Sequence, residues 1–181
     1  MKIDERDERQ NLVLEAARQV MIAARTAPKG KGVDIVEICL VTGDEIKQLS
    51  DMMRVVQQEN GFNFFLRDAD NILQAEAVLL IGTRDLCQGL NCLRCGFARC
   101  DDRPAGVPCA VNTIDVGIAV GSACSKAADL RLDTRVMHSA GIAAMRLGWP
   151  CADARNVLAI PMSCKSKNPF FDRQKPEAAK S

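Results

Sequence analysis

Residues 77–130 read AVLLIGTRDLCQGLNCLRCGFARCDDRPAGVPCAVNTIDVGIAVGSACSKAADL, and the architecture turns on this stretch. Ala77 to Ile81 is a short continuous apolar run, as expected of a strand buried on both faces. Asn112 to about Leu130 has helical character, with Asn112 in the position of a cap. Gly117, Ala119, Gly121, Ala123 and Ala127 are small, so another element or a flat ligand can approach this helix closely. Between strand and helix lies a loop, 84–110, that holds five cysteines.

The flanking segments supply the remaining layers. Asp4 to Thr26 is predicted to be an amphipathic helix with Leu12, Ala16, Val20, Met21 and Ala24 inward, ended by Pro28 and the basic turn Lys29-Gly30-Lys31-Gly32. Val33 to Val41 is β-branched and reads as a strand. Thr42 or Asp44 can cap a second helix, with Ile46, Leu49, Met53 and Val56 inward and Gly61 as its stop. A helix from His138 to Leu147 and a strand from Val157 to Ile160 follow. The tail from Lys165 to Ser181 is polar, with five basic residues (Lys165, Lys167, Arg173, Lys175, Lys180) against two acidic (Asp172, Glu177). The order α-β-α-β-loop-α-α-β implies one α+β domain, 1–181, a sheet flanked by helices with the cysteine-rich loop inserted.

Composition narrows the function classes. The 181 residues are 48% hydrophobic and 26% charged, which excludes a disordered chain. Lys+Arg of 24 against Asp+Glu of 23 argues against a dedicated nucleic-acid binder. No apolar run reaches the ~20 residues of a membrane span, and MKIDERDERQ has no signal-peptide core, so a cytoplasmic setting with reduced thiols is expected. Nine cysteines then point to metal or redox chemistry, and with His138 the single histidine any metal site must rest mainly on thiolates or carboxylates. His138 itself is expected to pack or cap at the start of its helix.

The cysteines of the loop are spaced C-x4-C-x2-C-x4-C-x8-C (Cys87, Cys92, Cys95, Cys100, Cys109). Structural zinc sites commonly pair two C-x2-C knuckles, and only one is present. A compact, uneven run of thiolates suits an iron–sulfur site with four Cys ligands. Cys92, Cys95, Cys100 and Cys109 keep all four in one loop. Cys87, Cys92, Cys95 and the distant Cys124 match the plant-type [2Fe–2S] spacing instead. Arg84, Arg94, Arg99 and Arg103 lie around the loop, nearly balanced by Asp85, Asp101 and Asp102. Cys39 and Cys151 read as small buried hydrophobes, and Cys164 lies in a basic segment that can activate a thiol.

The phrases GLNCLRCGFARC, DVGIAVGSAC, DTRVMHSAGIAAMRLG and IPMSCKSKNPFFDR resemble those of a family of ferredoxin-domain-containing proteins, from about Ala24 to Arg173. That resemblance implies a four-cysteine iron–sulfur cluster. The loop is also similar to the C-x2-C-x4-C modules of ion-pumping ferredoxin oxidoreductases and corrinoid iron–sulfur proteins, which hold [4Fe–4S]; the final gap here is shorter. A second resemblance is to nitroreductase-like flavoproteins. It rests on AARTAPKG, Asp115-x-Gly117, Leu147-Gly148 and Ile160-Pro161. It implies their fold and FMN bound at a homodimer interface, with electrons passed to a small acceptor. Their arginine-rich phosphate motif is absent from MKIDERDERQ, so Lys29, Lys31, Lys165 or Lys167 would serve the phosphate.

The expectation is an iron–sulfur oxidoreductase, with a [4Fe–4S] cluster and FMN as cofactors and a small-molecule acceptor. A ferredoxin-like carrier or redox sensor docking on a redox partner protein is the second reading, and a zinc-stabilised interaction domain the third.

Overall fold

A computed structural model describes residues 2–171, so Arg173, Lys175, Lys180, Asp172 and Glu177 of the charged tail lie outside the described residues. Five helices are formed among them: α1 (Glu5–Thr26), α2 (Asp44–Asn60), α3 (Phe64–Ile72), α4 (Ala110–Asp129) and α5 (His138–Arg146). The strands β1 (Val36–Val41), β2 (Ala77–Arg84), β3 (Asp133–Thr134) and β4 (Ala154–Ser163) make one antiparallel sheet in the order β1-β2-β4-β3.

β2 is central, and its apolar run explains why. Successive side chains of a strand point to opposite faces. Val78 and Leu80 enter a core with α2, α3 and α5, through Leu49, Met53, Phe65, Ile72 and Ala144. Leu79 and Ile81 enter a second core with α1 and α4, through Val13, Val20, Val116 and Ala123. The molecule is therefore a sheet with helices on both faces, as expected. Burying both faces fits the absence of polar alternation in AVLLI.

Local departures have physical reasons. The inward face of α1 is Val13, Ala17, Val20 and Ala24, one residue on from Leu12 and Ala16, and Leu12 is exposed. Alanines at both phases made the stripe ambiguous in the sequence. α2 is capped by Gly43 without a side-chain bond, not by Thr42 or Asp44, while Asp44 and Glu45 oppose the positive end of its dipole. Gly61 ends it in the left-handed conformation (φ 75°), as expected. α3 was not anticipated: its nine residues bury Phe65, Ala69 and Ile72 on a narrow stripe. Asn112 does not cap α4, which begins after Cys109; it is a buried residue of the first turn. Ala119, Ala123 and Ala127 are buried in the core shared with α1, whereas a Cβ on Gly117 or Gly121 would meet only open space. No helix among the described residues is long and apolar enough to cross a membrane.

Candidate cysteine site and cationic cavity

Two sites emerge, at opposite ends of the sheet. The first follows β2. From Asp85 to Cys109 the chain forms a loop with one short 3-10 turn at Cys100–Asp102. Its backbone is left-handed at Gly89, Asn91, Leu93, Gly96 and Gly106, with φ between 46° and 86°. Asn91 and Leu93 adopt this at some cost, since their Cβ disfavours it. The result is a wrapped loop whose amides turn toward sulfur. Asn91 N–H donates to Cys100 Sγ at 3.2 Å, and Asn91 Oδ1 accepts from Cys100 N–H at 2.8 Å.

Cys87, Cys92, Cys95, Cys100 and Cys109 all line one recess, closed by Leu90, Phe97 and Val111. Every one of these thiols is free. Cys124 is elsewhere: 15 residues along α4 from Cys109, it is about 22 Å away at ~1.5 Å per residue. The enclosed space is about 10 Å³. Among the described residues no three of His, Cys, Asp or Glu converge as a single-ion site. The recess as it stands has room for about one water and not for a polynuclear group.

The electrostatics favour thiolate at the loop's entrance. The Gly89 N–H, supported by the Cys100 thiol and the Arg103 guanidinium, holds the Cys87 thiol below its ordinary range despite burial. At Cys100 the Asn91 N–H favours thiolate, but the contact with Cys87 and burial outweigh it and raise its pKa. Burial pushes Cys39 up to about 11, with Cys151 adding to it, and burial with Asp153 does the same to Cys151. Cys164 is exposed on the segment after β4. His138 is exposed in the first turn of α5.

Polar residues hold the loop's two ends; the sequence reading missed Gln88 and gave Asn112 and Asp115 other roles. Gln88 Nε2 donates to Asp115 Oδ2 at 2.9 Å and to Asn112 Oδ1 at 3.1 Å. Asn112 Nδ2 donates to the Leu86 carbonyl at 2.6 Å, and Asp115 Oδ1 accepts from Gly30 N–H at 2.9 Å. All three side chains are buried. Gly30 is pressed against them: a Cβ there would stand 2.6 Å from Val111 and 2.8 Å from Gln88 Oε1. On the other side Asp85 lies between Arg103 (3.3 Å) and Arg155 (3.4 Å).

The second site is a cavity of about 970 Å³ at the other end of β2. Its charged lining is Arg67, Arg135, Lys165 and Lys167 against Asp70. Asp68 beneath it is buried and organises two of these cations: Arg67 reaches it at 2.8 Å, Arg135 at 3.8 Å, and Ser139 Oγ donates to it at 2.6 Å. Arg135 also donates to the Phe170 carbonyl at 2.9 Å and lies over the Phe171 ring. Lys165 Nζ donates to the Gln74 carbonyl at 2.7 Å. Lys29 and Lys31 do not reach this cavity. Lys29 is folded back onto the Arg25 and Ala27 carbonyls, and Lys31 is exposed at φ 57° beside the cysteine loop. The eight residues of β2 span roughly 23 Å at about 3.3 Å per residue, and Lys29 and Lys31 are not among the residues lining the cavity.

Comparison with known proteins follows this geometry. A protein of Archaeoglobus fulgidus carried as "Uncharacterized protein" is 41% identical over 183 residues, covering 96% of this chain and 98% of its own. The chain belongs to that protein's family. A family model described as "Uncharacterized protein containing a ferredoxin domain" matches residues 105–173, which include Cys109 and exclude Cys92, Cys95 and Cys100. Among solved structures, a nitroreductase family protein from Clostridium novyi NT superposes with a TM-score of 0.57 at 13% identity, over 90% of this chain and 76% of its own. A chain from Desulfovibrio desulfuricans in complex with FMN gives 0.57 at 16%, over 90% and 80%. NADPH:FMN oxidoreductase from Vibrio harveyi, complexed with NAD+, gives 0.53 at 14%, over 90% and 64%. The fold of this family member is therefore nitroreductase-like, α+β with helices on both faces of the sheet.

Proposed function

We propose that the chain is an iron–sulfur redox protein, with Cys92, Cys95, Cys100 and Cys109 as ligands of a [4Fe–4S] cluster. The observation that carries this is the convergence of five free thiols on one recess in a loop whose amides face sulfur. Bound there, the cluster supplies one-electron transfer at a potential set by its charge, hydrogen bonds and exposure. The chain's own residues do the rest. Cys109 precedes α4, so the positive end of the helix dipole faces the anionic ligand set. Asn91 and Gly89 present N–H groups to sulfur. Gln88, Asn112 and Asp115 tie the loop's start to the first turns of α4 and so fix the separation of its two ends.

The 970 Å³ cavity supports adding FMN to this reading. Lys165, Lys167 and Arg135 would hold its phosphate, and the space suits a flat ring system. The flavin would convert single electrons to two-electron chemistry on a small acceptor.

The test is anaerobic reconstitution of wild type and of single Cys→Ser variants, followed by absorbance and EPR. Cys95→Ser and Cys100→Ser should lose the cluster signal, and Cys124→Ser should keep it. Loss on Cys124→Ser with retention on Cys109→Ser would overturn the ligand set. FMN binding is checked separately, by flavin fluorescence after denaturation of loaded protein.

A further inference from the structure

Among the charged side chains at the cationic cavity, Asp68 is the buried one, only 7% exposed. Its Oδ1 accepts from Arg67 Nε at 2.9 Å and stands 2.8 Å from Arg67 Nη2. Arg135 Nη1 lies 3.8 Å from the same oxygen. Its Oδ2 accepts from Ser139 Oγ at 2.6 Å. Ser139 is the second residue of α5, so the carboxylate also sits near the positive end of that helix.

A buried carboxylate is costly unless it is paired and hydrogen-bonded, and this one is both. The two guanidiniums are not used up in return. Arg67 and Arg135 both line the 970 Å³ cavity, with side chains 42% and 20% exposed. Among the described residues Arg67 Nη1 and Arg135 Nη2 make no hydrogen bond. One carboxylate faces two guanidiniums, so the group keeps a positive charge. Arg67 belongs to α3 and Arg135 to the segment between β3 and α5, and Asp68 draws these separate elements together. Two guanidinium forks side by side suit a group with several anionic oxygens, such as phosphate. The cavity is far larger than a phosphate ion, which leaves room for an organic group.

Extending the reading of this cavity as a phosphate site, on which it rests, we propose that Asp68 is a positioning residue. It holds Arg67 and Arg135 as a paired fork for a phosphomonoester, and Arg67 joins Arg135, Lys165 and Lys167 as a contact to the phosphate. Asp68 itself does not touch the ligand. The role has a sign. A carboxylate near a bound anion repels it, so by charge alone its removal tightens anion binding. A carboxylate that positions the forks does the reverse: without it two flexible side chains must be ordered on binding, and affinity falls. Fork and charge also separate at Arg67, where lysine keeps the charge but cannot bind two oxygens at once.

The experiment is titration calorimetry of the full chain with phenyl phosphate, inorganic phosphate and FMN, with circular dichroism to confirm folding. The proteins are wild type, Asp68→Asn, Arg67→Lys, Arg67→Gln and Lys31→Ala. Asp68→Asn should weaken phenyl phosphate binding about tenfold. Arg67→Lys should weaken it nearly as much as Arg67→Gln, and Lys31→Ala should leave it unchanged. A folded Asp68→Asn that binds as tightly as wild type, or more tightly, would overturn the positioning role. Arg67→Lys with wild-type affinity would overturn it as well, and that arm decides even where Asp68→Asn does not fold. Inorganic phosphate bound more tightly than phenyl phosphate would overturn the assignment to a phosphomonoester. Wild type that binds phenyl phosphate but not FMN would overturn the flavin reading and leave the role of Asp68 standing. Wild type that binds none of the three would overturn both.

Discussion

Gly141→Ala is the substitution that most directly tests how α5 sits on the sheet. Gly141 is the fourth residue of α5, and a Cβ added there would stand 1.9 Å from the Val157 carbonyl oxygen and 2.6 Å from its carbon. Both are backbone atoms of β4, so no rotamer change relieves the clash. Reaching ordinary contact needs α5 to lift by more than about 1 Å. That would pull Ala140, Ala143 and Ala144, all fully buried, off the sheet. Overpacking typically costs about 1–3 kcal/mol, and a backbone clash in so tight a seam belongs at about 3 or above. For a chain of this size that lowers Tm by roughly 6–12 °C. The assay is thermal unfolding followed by circular dichroism, with Gly117→Ala as the comparison. Gly117 faces open space in the middle of α4, so its replacement removes the helix penalty of glycine and should raise stability by about 0.5–1 kcal/mol. A Gly141→Ala protein that melts within about 2 °C of wild type would refute the close approach of α5 to β4.

Two further outcomes follow from the charges. Burial raises the Cys39 thiol to about 11 from 9.0, so the folded state keeps a proton that the unfolded state has lost. Its contribution to stability is complete below about pH 9 and disappears as pH rises through about 11; Cys39→Ala should flatten that alkaline decline in urea midpoints, and an unchanged decline would contradict it. Lys167→Ala should weaken FMN binding by roughly tenfold to a hundredfold in a fluorescence titration, about the 1.5–3 kcal/mol of a hydrogen bond to a charged group, and Lys31→Ala should not. The reverse pattern would place the phosphate at the other end of the sheet.

What the sequence made legible was local. AVLLI announced a central strand because burial on both faces leaves no polar alternation. The spacing of Cys87 to Cys109 grouped five thiols in one loop, and the structure brings them to one recess. The helices with clear boundaries, such as the one ended by Gly61, were legible too. The rest depended on contacts distant in the chain. α3 was missed because it is only nine residues long and follows α2 after a short turn, although Phe65, Ala69 and Ile72 stand at helical spacing. Asn112 has the look of a cap, and only the approach of Gln88 and Leu86 makes it a buried clamp. Arg103 looked like one of four balanced loop charges until Asp85 was seen to be shared with Arg155, 52 positions further on. The lysine pairs were equivalent on paper, and only Lys165 and Lys167 line the cavity.

Iron and acid-labile sulfide, counted per chain after anaerobic reconstitution of the wild-type protein, test the central claim most directly. The account predicts about four of each, with zinc absent from the same preparation. One zinc per chain without sulfide would contradict it, and would make the five thiols a structural site instead of an electron-transfer site.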